Sequence, residues 1–347
     1  MSTHVFPRMG DGKRALHDKA EIVSVLCCLM ETLSGCLRGF LQDELKEEPT
    51  PLVGGPEASV YRFQAASSEV PQVLRILQSR QSAVSLKRMK TILEALTFAG
   101  VKTPQLQRIC DDETVFGGVA AVMDFVEGSP LEFGNVRHGQ LLGELHAELH
   151  SRDVSPVIEV LEAHGLPRDQ WLSPYTIDQA FFRWSQDHPW LQPVITWMDE
   201  NFDLDQDLSI CHGDFHPDKI RVRNHDLVGI LDWTFGIAPA VFDVGFTLTW
   251  MEILTRDLPL QCSKESRRAH AEAYLHAYCQ ASGLQRSQIR RHQVFSAVHF
   301  LLGSLYTEIA ALQGPALVGD LLSMIETTTG LQLSVPGQER RTAQTRL

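Results

Sequence analysis

Two stretches decide the reading of this chain: Cys211-His212-Gly213-Asp214-Phe215-His216-Pro217-Asp218-Lys219-Ile220 and, a few residues on, Gly229-Ile230-Leu231-Asp232-Trp233. The apolar run Leu208–Cys211 predicts a short strand that delivers Asp214 onto a tight turn. A second apolar run, Leu227–Leu231, predicts a strand that delivers Asp232 eighteen positions later. Two carboxylates at the ends of neighbouring short strands suit phosphoryl transfer. One accepts the proton of an attacking hydroxyl, and the other holds Mg²⁺ on nucleotide phosphates. The structural alternative is a buried Asp pair ending two strands, but ionised carboxylates are seldom placed at apolar strand ends without a role.

His-Gly-Asp-x-His-Pro, a hydrophobic strand and then Leu-Asp-Trp resembles the catalytic and metal-binding block of the aminoglycoside phosphotransferase and choline kinase group. The resemblance implies a two-lobed, protein-kinase-like α+β fold, with a small β-rich N-terminal lobe and a larger helical C-terminal lobe. It makes Asp214 the catalytic Asp and Asp232 a Mg²⁺ ligand. Asp243 becomes a structural brace of the catalytic loop, with His212 and His216 supporting the site. Earlier segments match in order. Gly54-Gly55-Pro56-Glu57-Ala58-Ser59 resembles the family's phosphate loop, where small residues let backbone N–H groups approach an anion. Arg75 stands where the family puts its phosphate-pairing cation, and Asp124 and Val126 lie where backbone meets adenine. The implied cofactors are ATP or GTP with Mg²⁺, and the implied acceptor is a small molecule bearing a hydroxyl.

Outward from this block the chain divides by pattern. Residues 19–45 carry Ile22, Leu26, Leu29, Leu33, Leu37 and Phe40 at spacings of three or four, which predicts an amphipathic helix over Lys19–Leu45. Its apolar stripe packs on the domain or, alternatively, forms the seam of a homodimer. Glu47-Glu48-Pro49-Thr50-Pro51 reads as a break. Strands are expected around Leu52–Phe63, Val73–Leu77, Leu106–Cys110 and Val119–Met123, with a helix over Ala83–Phe98. Helices are expected at 138–151, 174–187, 191–201, 264–282 and 286–311. The resulting domains are 1–48 (helical extension), 49–127 (N-lobe), 128–335 (C-lobe) and 336–347 (tail), with a cleft between the lobes.

Two positions depart from the family. Five residues after Asp214 a metal-binding Asn is expected, and Lys219 stands there; an ammonium has no lone pair for Mg²⁺. Lys219 can instead neutralise phosphate charge directly, as a catalytic residue. The acid that should pair with Arg75 falls at Met89, and the nearest acid is Glu94. These departures keep a second reading open, a nucleotide- or metabolite-binding pseudokinase with a repurposed cleft.

His146 and His150 are four apart, a metal-ligand spacing, but Ala147 stands where a zinc protease needs Glu, so a core role is expected. Only ten residues separate Asp232 from Asp243, too few for an activation segment that binds a peptide. Phe181, Phe182, Trp184, Trp197 and Trp250 are candidate acceptor-site walls, though aromatic residues there usually belong to a core. The acidic run Asp199, Glu200, Asp203, Asp205 and Asp207 could attract a cationic acceptor, and reads first as a solvated loop.

Composition bounds the rest. A formal charge of −12 argues against nucleic acid or an anionic membrane as partner. The longest early apolar run, Ile22 to Met30, falls short of the roughly 20 residues that span a bilayer. Seven cysteines without a CxxC pair, Cys27 and Cys28 adjacent among them, fit a reduced, cytoplasmic protein.

Overall fold

The computed structural model describes residues 31–53, 58–77, 83–172, 183–184, 186–203, 206–255, 262–306 and 310–334. The chain divides into two compact units: residues up to Glu94 with Thr103–Val126, and Ala95–Lys102 with the residues from Glu127 on.

The first unit is a five-stranded antiparallel sheet in the order β1-β2-β3-β5-β4. Its strands are β1 (Leu45–Leu52), β2 (Ala58–Ala65), β3 (Gln72–Leu77), β4 (Leu106–Cys110) and β5 (Ala120–Asp124). A helix, α1, occupies 31–41 of the described residues. It ends earlier than expected, because Gln42 adopts a left-handed φ of 56° and the chain turns into β1. The 47–51 stretch is no break: it lies inside β1, at the edge of the sheet. An edge strand tolerates proline, and the pairing with β2 slips between Leu45 and Glu47 and again before Thr50, around Pro49. The described part of the α1 stripe is used on the sheet. Leu37 and Leu41 are buried with Phe63, Ala65, Leu74, Phe116 and Val122 in one core, and Leu33 and Phe40 pack against it. Arg108 on β4 donates to the Leu41 carbonyl at 3.0 Å, capping the helix end with positive charge. The helix α2 (Ala83–Phe98) follows β3, and a single turn, α3 (Glu113–Phe116), joins β4 to β5.

The second unit is mostly helical. It contains α4 (Val136–His150), α5 (Ser155–Ala163), α6 (Gln192–Asn201), α7 (Ala240–Thr249), α8 (Lys264–Ser282), α9 (Arg286–Tyr306) and α10 (Ala310–Thr329). The sequence reading missed α5, whose Pro156 looks like a breaker but sits in the first turn, where a missing N–H is harmless. It also carried α9 on to 311, and Gly314-Pro315 hid the separate helix α10. The helix expected at 174–187 lies mostly outside the described residues. Among the helices sit two small sheets, β10-β7 and β6-β8-β9, built from β6 (Ser129–Pro130), β7 (Leu208–Cys211), β8 (Ile220–Arg223), β9 (Asp226–Ile230) and β10 (Gly236–Pro239). Asn224 and His225, with φ of 54° and 71°, close the β8–β9 hairpin in a left-handed turn that matches strand twist.

α4 packs tightly on α8. A Cβ at Gly139 would sit 2.5 Å from the His270 carbonyl oxygen, and one at Gly143 would sit 2.3 Å from that of Tyr274. Only glycine lets the two backbones approach so far. Gly139, Gly143, His146 and His150 are spaced 4-3-4 and share one face of α4. No described helix is long and apolar enough to cross a membrane.

Candidate active site

β7 ends at Cys211, and Gly213 turns the chain at φ +81°, where an added Cβ would meet Thr234 at 3.1 Å. Asp214 leaves this turn with its side chain about one-third exposed. The next residue, Phe215, is fully buried and stacks on His146 with ring centroids 4.0 Å apart. His216 stacks on Trp250 at 4.3 Å, the planes 6° apart, with Nε2 3.5 Å from Asp214 Oδ2. Trp250 opens a single π-helical turn, Trp250–Leu254, an irregularity that often marks functional positions. The turn at Gly213 thus leaves the acid partly exposed while the buried Phe215 and His216 anchor the loop.

His212 ties the two carboxylate-bearing loops into one frame. The Asp214 amide donates to its Nδ1 at 3.0 Å, so Nε2 carries the proton and donates to the Leu231 carbonyl at 2.8 Å. Burial lowers the His212 pKa and keeps this tautomer neutral. The Leu231 amide donates to Lys219, and the Thr234 amide to His212. Asp232 stands between them with a left-handed φ of 55°, a conformation that a non-glycine residue holds only under constraint. Trp233, buried, donates its indole N–H to the Ile230 carbonyl and packs on His212.

Beneath this frame lies Asp243, on α7. Its carboxylate accepts the amides of His212 at 2.6 Å and Gly213 at 2.9 Å. Its Oδ2 also lies 3.1 Å from His146 Nε2 and 3.3 Å from His150 Nε2. Burial alone would raise its pKa, but the two histidines outweigh it and hold the carboxyl well below the usual range. His146, His150 and Asp243 are close enough together to suggest a metal triad. Each ring nitrogen already has a partner, however: Nε2 on Asp243, and Nδ1 on Tyr274 or Tyr278. The core role expected for the pair is the one the geometry supports. Sequence reasoning overlooked the two tyrosines, although their i, i+4 spacing mirrors that of the histidines.

Lys219 donates to Asp232 Oδ2 at 2.7 Å and stands 3.9 Å from Asp214 Oδ2. It neither swings away to solvent nor leaves the carboxylates unbalanced. The remaining sequence candidates scatter. Trp184 and Trp197 pack against the α6–α9–α10 core, so of the described aromatic candidates Trp250 is the one beside the loop that carries Asp214. Phe181, Phe182 and Asp205 fall outside the described residues, while Asp199, Glu200, Asp203 and Asp207 are exposed. Gly54 and Gly55 also fall outside them. In the first unit, Ser59 pairs with Ile76, and Arg75 lies opposite Val60 and Ala121 in the middle of the sheet. Glu94 is paired with Lys90 one helical turn away. Asp124 braces the end of β5 through Gln105 and Gln107, and Val126 is the last residue of that unit.

A sequence model of the phosphotransferase enzyme family matches residues 48–292. The chain belongs to the phosphotransferase enzyme family. No curated protein matches it. Among solved structures, a candidate aminoglycoside phosphotransferase of Ralstonia eutropha is 15% identical, with a TM-score of 0.61 over 86% of this chain and 97% of its own. Macrolide 2′-phosphotransferase MphH of Brachybacterium faecium is 15% identical, with a TM-score of 0.53 over 87% of this chain and 98% of its own. An ethanolamine kinase of Plasmodium vivax is 13% identical, with a TM-score of 0.52 over 81% and 82%. At such identities the likeness is one of fold, and the fold is kinase-like. In this phosphotransferase Asp214 and Asp232 are hard oxygen donors, about one-third and under one-half exposed, which fits a divalent cation. Position 219 does not fit as a ligand, because its ammonium occupies the space between them.

Proposed function

We propose that this phosphotransferase moves the terminal phosphoryl group of ATP or GTP to a hydroxyl of a small molecule. The observation that carries the reading is the single frame around His212, which holds Asp214 and Asp232 on either side of the Lys219 ammonium. Asp214 accepts the acceptor's hydroxyl proton as that oxygen bonds to phosphorus. The bond from phosphorus to the bridging oxygen breaks, and a nucleoside diphosphate leaves. Asp232 would hold Mg²⁺, which neutralises phosphate charge when bound. Lys219 stands where a second cation is otherwise needed and supplies fixed positive charge in a partly dry site. On the nucleotide side the reading uses Gly54, Gly55, Ser59 and Arg75 for phosphate, and backbone at Asp124 and Val126 for the base. A nucleotide titration with and without Mg²⁺, followed by an acceptor screen read by phosphate transfer, tests it.

The Lys219–Asp232 ion pair also favours a second reading, a nucleotide-binding module in which Lys219 displaces the metal. That reading expects tight nucleotide binding with no transfer to any acceptor or to water. Mg²⁺-dependent nucleotide consumption that disappears in Asp232→Ala would rule it out.

A further inference from the structure

The proton arrangement under the catalytic loop points to two residues that nothing above assigns to catalysis. Tyr274 and Tyr278, on α8, are completely buried. Each hydroxyl lies 2.8 Å from a histidine Nδ1, Tyr274 on His146 and Tyr278 on His150. The two imidazoles lie 4.2 Å apart, centroid to centroid, in a dry interior, where two adjacent imidazolium ions would repel. Burial lowers His146 to about 3 and raises both phenols, so the phenols keep their protons. A neutral imidazole has one N–H and one lone pair. If Nδ1 held the proton, Nε2 would turn a lone pair onto an ionised carboxylate at 3.1–3.3 Å. With the tyrosine O–H donating to Nδ1, Nε2 carries the proton and donates to Asp243.

We propose that Tyr274 and Tyr278 are positioning residues for Asp214, holding His146 and His150 as Nε2–H tautomers. Asp243 then receives four N–H donors, two from side chains and two from the His212 and Gly213 amides, and the turn that carries Asp214 is locked. Gly139 and Gly143 make the arrangement possible, because their missing side chains bring α8 close enough for the hydroxyls to reach.

The consequence for catalysis rests on the proposed phosphotransfer, but the tautomers and the locked turn do not, and the experiment separates them. Long-range ¹H–¹⁵N NMR of the full chain should show Nε2–H tautomers at His146 and His150 in the wild type. Tyr274→Phe, Tyr278→Phe and the double variant keep the ring volume and remove only the hydroxyls. In them, amide exchange at His212 and Gly213 should rise about tenfold, while that of Val122 in β5 stays unchanged. If the chain turns nucleotide over, kcat should fall about tenfold with the nucleotide KM unaltered, the loss expected for one hydrogen bond. Nδ1–H tautomers in the wild type, or unaltered His212 and Gly213 exchange in the folded variants, would overturn the proposal. Should the double variant not fold, each single variant carries the same readouts. Absence of turnover in the wild type would count against phosphotransfer alone.

Discussion

The Lys219 ammonium donates to the Asp232 carboxylate at 2.7 Å. Lys219 is the last residue of a 3₁₀ turn, Pro217–Lys219, and its backbone is pinned by the His216 carbonyl on one side and the Leu231 amide on the other. The cation is therefore built into the loop rather than borrowed from a flexible surface chain. Because Asp232 is substantially exposed, the pair contributes only about 0–1 kcal/mol to folding, and its proposed use is in placing charge.

Lys219→Ala should leave the melting temperature nearly unchanged and weaken nucleotide binding about tenfold, roughly one charge-assisted contact. Lys219→Asn should restore binding only at raised Mg²⁺. Isothermal titration across a Mg²⁺ series reads both. An alanine variant with wild-type nucleotide affinity defeats the charge-placement role.

Asp214→Asn should reduce transfer by about 10²–10⁴ while nucleotide affinity stays close to wild type. The side chain is near-isosteric and partly exposed, so folding is unaffected. Unchanged turnover in a single-turnover assay would remove Asp214 from the chemistry.

Acid should destabilise the fold early. Burial lowers His146 to about 3, and His270 and His292 to about 4, from an ordinary 6.5. Between those values the unfolded chain binds protons that the folded one refuses, so stability is full above about pH 6.5 and falls as pH drops. Each such histidine contributes a slope of about 1.4 kcal/mol per pH unit. His292 stacks on Phe202, and its Nε2 is buried without a hydrogen-bond partner, so His292→Phe should keep the fold and flatten the slope by one proton. Urea midpoints from pH 7 to pH 5 measure this, and an unchanged slope in the variant refutes it.

Gly143→Val should lower stability by about 1–3 kcal/mol, since its side chain must displace the Tyr274 carbonyl. The matching Gly319→Val on α10, where nothing lies within 4 Å of an added Cβ, should change stability by less than about 1 kcal/mol and in the stabilising direction, because valine is a better helix former than glycine. Equal losses at the two positions would show that α4–α8 contact is not the reason for glycine at 143.

The strands and turns that carry the proposed catalytic and metal-binding carboxylates were legible in the local sequence. Leu208–Cys211 and Leu227–Leu231 are local apolar runs, so the strands, the turn at Gly213 and the exits of Asp214 and Asp232 follow from residues adjacent in the chain. α8 was legible to its ends for the same reason, with Ser263 capping its start and Gly283 its finish. Where local signals misled, at Pro49 and Pro156, the deciding facts were an edge position and a first turn, which a pattern of types does not display. Only the tertiary structure decided what the titratable groups touch. Lys219 meets a carboxylate 13 residues away, Asp243 meets His146 across 97, and the tyrosines meet the histidines across 128. Hydrogen bonds act over about 3 Å, and which donor reaches which acceptor depends on how closely two helices approach. In this chain that approach is set by two glycines on α4, whose purpose is invisible until α8 lies against them.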